Sequence, residues 1–385
     1  METTELLSII DKGEDSFHQF KEIVTRAESI AQEFVAFSNS GGGFLFIGVS
    51  DEGKVCGLTR EKVGVINQLI SNAATNSVRP PINPKTENIG LPDGIVMVIT
   101  VEPGISKPYM DHQGNIWVKN GADKRKVTAR EELQRIYQAA TLVHADELPV
   151  SGTNVNDLDR DYFADFFEKI TGEELDKQDI SLPKLLENMN LMCNGELNIC
   201  CTLLFAQRPQ LKLPIFIIKA VSFPGNDITE QTYIDSQDIV GKMSETFQRA
   251  MSFILSNIRH KQGNKSVNSI GDPEIPRIVF EELLANALIH RDYFVSAPIR
   301  LLVFANRIEI ISPGHLPNNL TVNNIKLGNS NIRNPILASF ATRLLPYRGL
   351  GSGVLRALKA WPDIDFSDDR EGNQFKVIIH RDTEG

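Results

Sequence analysis

The stretch from residue 19 to residue 49 limits the possible fold more than any other part of the chain. Apolar residues recur at every third or fourth position over 19–38, and this spacing predicts an amphipathic helix. The segment Asn39-Ser40-Gly41-Gly42-Gly43 then ends the helix, because glycine is unfavourable in a helix interior. The apolar run Phe44–Val49 follows directly and predicts a buried strand. A helix and a strand in such close succession indicate a core of the α+β or α/β class.

The rest of the chain also mixes helices and strands, which predicts an α+β protein with several domains. We predict helices over 4–10, 59–77, 129–144, 160–170, 181–190, 237–259, 277–290, 334–344 and 352–361. Strands are predicted over 95–102, 108–112, 115–119, 196–206, 213–223, 298–304, 307–312 and 374–381, with 196–206 and 213–223 paired as a hairpin. Because residues 146–160 have the polar, acidic composition of a linker, we expect domains at 1–145, 146–236 (a small α+β connector) and 237–385.

Composition excludes several classes of protein. Apolar residues make up 41% of the 385 residues, which excludes wholesale disorder. The net charge of −9 argues against a protein that coats nucleic acid by bulk positive charge, although it is compatible with a local basic patch. The four cysteines include no CxxC pair, so we expect neither a disulfide framework nor a structural zinc site. The pattern predicts neither a signal peptide nor a membrane span, and therefore a cytoplasmic protein.

Three motifs follow one another towards the end of the chain. Glu282 and Asn286 stand four residues apart on a predicted helix, which places them on one face. A carboxylate there can orient a water molecule, and an amide oxygen one turn later can ligate a hard cation such as Mg²⁺. Ser312-Pro313-Gly314 follows a predicted strand. Gly349-Leu350-Gly351-Ser352-Gly353 opens a predicted helix, whose first amides favour a phosphate group.

Taken singly, each motif is more typical of a solvated helix face or an ordinary turn, but their order is informative. Together with His290-Arg291-Asp292-Tyr293, they make the segment 277–381 resemble the GHKL-type ATPase domain, in the divergent branch with the signature E-x-x-x-N-A-x-x-H-R-D-Y. The resemblance implies an α/β sandwich that binds ATP and Mg²⁺. It also implies a set of roles: Glu282 as general base, Asn286 as the Mg²⁺ ligand, Gly314 beside the adenine, and Gly349, Gly351 and Gly353 around the phosphates.

Two features depart from, or extend, that pattern. Ser312 stands where the family has the aspartate that reads adenine, so this hydrogen bond is weaker or comes from elsewhere. His290 and Arg291 could reach the phosphates; alternatively, Asp292 and Tyr293 cap the helix. The resemblance therefore predicts nucleotide binding and leaves turnover by a Mg-dependent ATPase open.

The beginning of the chain carries a second set of motifs. They are Glu14-Asp15-Ser16-Phe17-His18-Gln19-Phe20-Lys21, the run AFSNSGGGFLFIGVSDEG at 36–53, Lys107-Pro108-Tyr109, and WVKNGA at 117–122. Over about 1–140 the chain resembles the Schlafen AlbA-type domain, which implies an α/β domain that binds nucleic acid. The metal-binding acidic triad of the ribonuclease-active members would correspond to Glu14, Gln19 and Asp51. Because Gln19 is an amide where the family has a glutamate, nuclease chemistry is the less favoured interpretation.

A basic run follows these motifs and bears on the choice of partner. It comprises Lys119, Lys124, Arg125, Lys126 and Arg130, five positive charges within twelve residues. Such a run contacts phosphates in some proteins and is a solvated loop in others. With the resemblance, it favours nucleic-acid binding, and DNA over RNA.

These observations lead to one principal hypothesis and one alternative. The principal hypothesis is an ATP-binding, nucleic-acid-binding protein, a transcriptional regulator or a defence component, whose nucleotide state controls nucleic-acid binding or assembly into a homodimer. The alternative is a metal-dependent, Schlafen-like nuclease that a nucleotide regulates.

Overall fold

The structure is a computed structural model and describes residues 1–140, 142–262, 271–317 and 320–381. Its contacts separate two units, Met1–Val143 and His144–Gly385, which are called the first and the second unit below. Each unit has its own sheet and its own buried apolar residues. No helix in the described ranges is long and apolar enough to cross a bilayer.

The first unit surrounds a small sheet with helices. Its helices are α1 (Thr3–Lys12), α2 (Ala27–Asn39), α3 (Arg60–Asn72) and α4 (Arg130–Ala139). Its strands are β1 (His18–Lys21), β2 (Gly43–Ile47), β3 (Val78–Arg79), β4 (Lys85–Leu91), β5 (Gly94–Val101), β6 (Met110–Asp111), β7 (Trp117–Asn120) and β8 (Asp123–Lys126). A π-helical turn, Ala73–Ser77, continues α3.

The central sheet of the first unit has the strand order β1-β2-β5-β4. Strand β1 is parallel to β2, whereas the other two pairs are antiparallel. Residues of β2 alternate between the faces: Leu45 and Ile47 pack with α2 and α3, and Phe46 packs with α1. Both faces are therefore buried, as the apolar run in this strand predicts.

The long helix predicted over 19–38 is wrong in its first part. Residues 18–21 form β1, which pairs with β2 from His18↔Phe44 to Lys21↔Ile47, and α2 begins only at Ala27. Phe20 and Val24 are buried and four residues apart, so they imitate a helical face. A strand of four residues is too short to show alternation, and its pairing with β2 decides the local structure.

The second unit contains a larger sheet with helices on one face. Its helices are α5 (Arg160–Thr171), α6 (Leu182–Asn188), α7 (Ile199–Phe205), α8 (Met243–Asn257), α9 (Arg277–His290), α10 (Val322–Lys326), α11 (Pro335–Leu344) and α12 (Gly353–Ala360). Its strands are β9 (Met192–Cys193), β10 (Glu196–Leu197), β11 (Ile218–Ser222), β12 (Asp235–Ile239), β13 (His260–Lys261), β14 (Asp272–Pro273), β15 (Ile299–Val303), β16 (Arg307–Pro313), β17 (Ile364–Asp369) and β18 (Gln374–His380).

The main sheet of the second unit has the order β12-β11-β15-β16-β18-β17. Only the β11–β15 pair in this sheet is parallel. Helices α8 and α9 pack on one face through apolar residues such as Phe247, Ile254 and Leu284, which share a core with Ile310 of β16 and Val377 of β18. The sheet and its helices thus form the α/β layers that the resemblance implies.

Two predictions for the middle of the chain are corrected. Residues 199–205 form the buried helix α7 instead of a strand, so the predicted hairpin does not exist. A short apolar run does not distinguish a strand from a buried helix, and the useful signal was Asn198, whose side chain accepts a hydrogen bond from the Cys201 amide and caps α7. Residues 146–236 are also not a separate domain, because β11 belongs to the main sheet and α5 and α7 share its core.

Candidate functional site

A pocket lies between α9 and the helix-covered face of the main sheet in the second unit. It encloses about 1020 Å³, the space at its open mouth included, which is large enough for a nucleotide-sized ligand. Ile310 and Ser312 of β16, together with Phe366, Phe375 and Val377, form its floor. The rim is formed by 314–317, Leu320 and Ile325, 329–331, and 347–354.

The acid and the amide that the sequence singled out lie together on the α9 wall of this pocket. Glu282 is 5% exposed, and Asn286 lies one helical turn further on. Both face Gly353, the first residue of α12: a Cβ atom there would lie 2.7 Å from Glu282 Oε2 and 3.2 Å from Asn286 Nδ2. Only glycine leaves this space open. Glu282 and Asn286 of α9 and the glycine-rich turn therefore line the same space.

The carboxylate of Glu282 already has a partner. Arg356, three residues into α12 from Gly353, donates from Nε to Glu282 Oε1 at 2.6 Å and from Nη1 to Ser352 Oγ at 2.5 Å. The hydrogen bond to Glu282 raises the pKa of the Arg356 guanidinium. Asn286, in contrast, makes no side-chain hydrogen bond to any described residue. The pocket therefore presents a free amide beside a neutralised acid.

Ser312 at the floor of the pocket contacts α9, and Gly314 at the rim lies against the residues that follow α9. Ser312 Oγ donates to the Ala287 carbonyl at 3.2 Å, which leaves its lone pairs for a ligand. Gly314 has φ +97°, and a Cβ atom there would lie 2.4 Å from both Arg333 Nη1 and the Asp292 side chain. The left-handed backbone and the close approach both require glycine, so Gly314 shapes the rim of the pocket whether or not it contacts a ligand.

The motif after α9 divides between the pocket and the interior. His290 lines the pocket, and its Nε2 lies 3.1 Å from Tyr347 Oη. Burial, followed by the nearby Arg333 charge, lowers the pKa of His290 to about 4, so the imidazole is neutral at physiological pH. A neutral imidazole can hydrogen-bond a ligand but contributes no positive charge.

The prediction that Arg291 reaches the phosphates is wrong. Its side chain is buried, donates from Nη2 to the carbonyls of Val295 and Ala297, and lies over the rings of Phe216 and Tyr293. Tyr293 Oη donates to the Leu288 carbonyl, and the Asp292 amide donates to Pro313. The alternative stated above, that Asp292 and Tyr293 cap the helix, holds for Tyr293, whose hydroxyl bonds a carbonyl in the last turn of α9. It does not hold for Asp292, whose amide donates to Pro313 and whose carboxylate accepts the Phe294 amide. Tertiary packing turns Arg291 inwards.

The glycine-rich turn closes the pocket on the side of α12. Gly349 and Gly351 have φ values of +67° and +69°. Both line the pocket, as do their neighbours Arg348 and Leu350. Gly353 and Val354 bring the first turn of α12 to the wall, where helix amides lack intrahelical acceptors. This arrangement suits the phosphate chain of a nucleotide.

The pocket offers few ligands for Mg²⁺ from the protein itself. The described residues contain no group of three or more His, Cys, Asp or Glu side chains that could hold a metal ion. Mg²⁺, however, commonly uses one or two protein ligands together with water and substrate phosphates. The unpaired amide of Asn286 beside the glycine-rich turn fits such an ion only together with a triphosphate.

Sequence reasoning missed Arg356 and Tyr347, although both line the pocket. Arg356 had a usable signal, since it lies one turn into the helix that the glycine-rich turn opens. Tyr347 had none, because its place opposite His290 depends on the path of the chain after α11.

In the first unit, two residues of the predicted nuclease triad, Glu14 and Gln19, form a closed cluster with Lys119. Gln19 Nε2 donates to Glu14 Oε1 at 2.5 Å, and Lys119 Nζ donates to Gln19 Oε1 at 2.7 Å. Glu14 Oε1 also accepts the Phe20 amide, whereas Asp51 lies in the exposed turn after β2. Burial lowers the pKa of the Lys119 ammonium, and the charges of Glu33 and Glu14 oppose this.

A catalytic metal does not fit this cluster. Lys119 places a positive charge where a divalent ion would need carboxylates, and Gln19 uses both ends of its amide within the cluster. Glu33, 2% exposed on α2, is paired through Oε1 with Lys124 at 2.7 Å, so its negative charge is already balanced by a lysine. These contacts weigh against the nuclease alternative.

The basic run lies on and after the β7–β8 hairpin, but only part of it is free to bind a partner. Lys119 and Lys124 point into the cluster just described, and Arg125 makes two hydrogen bonds to Glu132 at 2.8 and 2.6 Å. This corrects the expectation that all five charges face a ligand. Lys126 and Arg130 are exposed and form no ion pair with another described residue.

Comparisons with known proteins bear on both units. Residues 14–128 match the family described as "Schlafen, AlbA_2", and residues 296–379 match the family described as "Putative ATP-dependent DNA helicase recG C-terminal". The second match begins after α9, so Glu282 and Asn286 lie outside it. No curated protein matches the chain.

Two solved structures are similar to the chain. The DIP2311 protein from Corynebacterium diphtheriae is 20% identical, with 98% of this chain and 80% of that chain covered and a TM-score of 0.47. The N-terminal domain of a RecG-related protein from Nitrosomonas europaea is 21% identical, with 34% of this chain and 97% of that chain covered and a TM-score of 0.25. The two family matches, in contrast, fall on the segments whose motifs we described. This α+β multidomain chain therefore contains a Schlafen AlbA-type domain in its first unit and a HATPase-like domain of the RecG C-terminal type in its second.

Proposed function

We propose that the second unit binds ATP with Mg²⁺ in the pocket between α9 and the main sheet. The observation that carries the proposal is the position of Glu282 and Asn286 against Gly353, at the start of α12. The helix start offers free amides to a phosphate group, the unpaired amide oxygen of Asn286 can ligate Mg²⁺, and the acid Glu282 can orient a water molecule. The family match over 296–379 adds support, because it covers the floor of the same pocket.

Each part of the ligand would have partners from this chain. The stacked rings of Phe366 and Phe375, 6.2 Å apart, and Ile310 offer an apolar surface for the base. Ser312 Oγ can accept a hydrogen bond from its edge. The turn at 349–353 would surround the phosphates, and Asn286 would hold Mg²⁺, which when bound neutralises phosphate charge.

Turnover would depend on Glu282. As a general base it must orient a water molecule, and its Oε1 is bonded to Arg356 in the structure. We therefore propose binding first and hydrolysis second. Replacing Glu282 with alanine should abolish any turnover and preserve binding, whereas equal hydrolysis in this variant would reject Glu282 as the base.

The central experiment is the melting temperature of the full chain with ATP, ADP and GTP, with and without Mg²⁺. A ligand that binds the folded state stabilises it by RT ln(1 + [L]/Kd), so ATP with Mg²⁺ should give the largest increase. Glu281→Ala is the matched control for Glu282→Ala, because Glu281 is adjacent to Glu282 but pairs with Arg277 outside the pocket. No increase at millimolar ATP would reject the proposal.

For the first unit we propose nucleic-acid binding, with DNA preferred over RNA. Lys126 and Arg130 are the free cations of the basic run, and Phe17 exposes 52% of its surface, which suits stacking on a base. Fluorescence anisotropy with single- and double-stranded DNA and RNA at two salt concentrations tests this. The absence of salt-dependent binding to any of them would reject it.

We further propose that nucleotide state controls nucleic-acid binding or assembly, as in a transcriptional regulator or a defence component. The presence of both domain types in one chain supports this. The anisotropy measurement repeated with ATP and ADP tests the first form, and sedimentation of the chain with each nucleotide tests homodimer formation. Identical results with and without nucleotide would reject the coupling.

A further inference from the structure

Arg356 lies between a buried carboxylate and the pocket, so two groups can compete for its positive charge. In the structure its Nε holds Glu282 Oε1 at 2.6 Å, with the Glu282 side chain 6% exposed. Its own side chain is 29% exposed and lines the pocket, so the guanidinium borders both the buried acid and the space for a ligand. The guanidinium is therefore within reach of two partners, the Glu282 carboxylate and an anion bound in the pocket.

A phosphate group is a strong competitor for this guanidinium. Arginine binds phosphate through two parallel hydrogen bonds, and such charge-assisted bonds are stronger than neutral ones. Arg348 is the other arginine that lines the pocket among the described residues, and His290 is neutral, so Arg356 supplies a large share of the available charge. A phosphate chain in the pocket would therefore compete with Glu282 for the Arg356 guanidinium.

The position of Glu282 indicates which phosphate is involved. If Glu282 is the general base, it faces the terminal phosphate of the triphosphate, where water attacks. Arg356 is bonded to that same carboxylate and thus lies at the terminal end too. A diphosphate lacks the group that would reach it.

We infer that Arg356 is a latch, by which we mean that its bond partner depends on the terminal phosphate. Without nucleotide, Arg356 bonds Glu282; with a triphosphate, Arg356 leaves Glu282 and binds the terminal phosphate. The inference rests on the proposed nucleotide site. It makes Arg356 a residue that distinguishes ATP from ADP and frees the acid for water only when a triphosphate is present. A purely structural bond between α9 and α12 would have neither effect.

The test is isothermal titration of ATP and ADP, with Mg²⁺, into the full chain and two variants. Arg356→Gln should weaken ATP binding about tenfold or more and leave ADP binding within about twofold, since the charge-assisted hydrogen bonds of the guanidinium to the terminal phosphate are lost. Arg277→Gln is the control, because Arg277 pairs with Glu281 on α9, 2.8 Å away, outside the pocket. It should change neither affinity.

A second variant protects the test against misfolding. Glu282→Gln removes the competing charge, so Arg356 is free from the start and ATP should bind several-fold more tightly, with ADP unchanged. A structural bond predicts equal or weaker binding of both nucleotides. If the unmodified chain binds ATP but neither variant changes the ATP-to-ADP ratio, the latch is wrong and the nucleotide site stands. If the unmodified chain binds no nucleotide, both proposals fall.

Discussion

The two units each contain a buried helical glutamate that is paired with a cation, yet only one of these pairs marks a candidate site. Glu33 of α2 bonds Lys124 at 2.7 Å, and Glu282 of α9 bonds Arg356 at 2.6 Å. The first pair belongs to a closed cluster in which Lys119 and Gln19 also bond each other. The second borders a cavity with an unpaired amide, Asn286.

The difference shows that a buried ion pair by itself says little about function. Burying a charge is costly without a partner, so any buried glutamate acquires one. A site is indicated instead by polar groups left free next to open space. By this criterion the pocket of the second unit is the stronger candidate site, whereas the cluster of the first unit is the better candidate for a stabilising contact.

The largest effect is expected where the cluster of the first unit is broken. Lys124→Met leaves Glu33 buried without its partner, and Glu33 Oε2 makes no hydrogen bond to a described residue even now. We expect the free energy of unfolding of the first unit to fall by about 3 kcal/mol. Urea denaturation followed by Trp117 fluorescence, in a Trp361→Phe background, measures it.

The control for this prediction is another lysine of the same unit. Lys85 pairs with Glu102 at 3.1 Å, and both side chains are well exposed. Lys85→Met should cost less than about 0.5 kcal/mol. If Lys124→Met costs no more than Lys85→Met, the cluster is not what stabilises this unit.

The next effect concerns the pocket at low pH. The pKa of His290 is about 4 in the folded chain and about 6.5 when unfolded, so the unfolded chain binds more protons between these values. Stability is therefore fully present above pH 6.5 and falls as the pH drops towards 4, by at most about 3 kcal/mol from this residue. Trp361 fluorescence in a Trp117→Phe background, during urea denaturation at several pH values, follows the second unit.

Replacing His290 separates its contribution to the pH dependence of stability from that of carboxylates, which titrate at neighbouring pH values. His290→Gln should flatten the fall between pH 6.5 and 5, and His260→Gln, at an exposed position of the same unit, should not. Parallel curves for the parent and His290→Gln would show that the imidazole is not held neutral in the pocket.

A smaller effect tests whether the space in front of Glu282 matters. In Gly353→Ala the new methyl group would lie 2.7 Å from Glu282 Oε2, so the acid or α12 must shift. We expect ATP affinity to fall about tenfold, or about 1.4 kcal/mol, by calorimetry. Gly64→Ala on α3, where a Cβ atom meets nothing within 4 Å, should leave it unchanged. Unchanged affinity in Gly353→Ala would place the ligand elsewhere.

The smallest effect distinguishes the free from the bonded cations of the basic run. Replacing Lys126 and Arg130 together with alanine should weaken nucleic-acid binding about threefold to tenfold and reduce the slope of log K against log salt by about 2. Anisotropy titrations at several salt concentrations measure both. Replacing the exposed Arg60 and Lys62 of α3 in the same way is the control. The same loss in both variants would mean that general charge, not this run, attracts the ligand.

Local patterns in the sequence predicted the part of the candidate site that lies within single elements. Glu282 and Asn286 fall on one face of α9 because four residues make about one helical turn, and the turn at 349–353 is set by its glycines. The same reasoning failed for β1, whose parallel partner lies more than twenty residues away, and for α7, whose apolar residues are buried on all sides. Contacts at long range outweigh weak local preferences there.

The sequence by itself determined that this chain is an α+β protein of several parts, with an acid–amide helix and a glycine-rich turn near its end and a Schlafen AlbA-type pattern at its beginning. The tertiary structure alone decided the partners: it set Arg356 on Glu282, turned Arg291 inwards, and enclosed Lys119 and Lys124 in a polar cluster. The reason is physical. Periodicity fixes which side chains share a face of one element, whereas the partner of a buried charge depends on which other element packs against it.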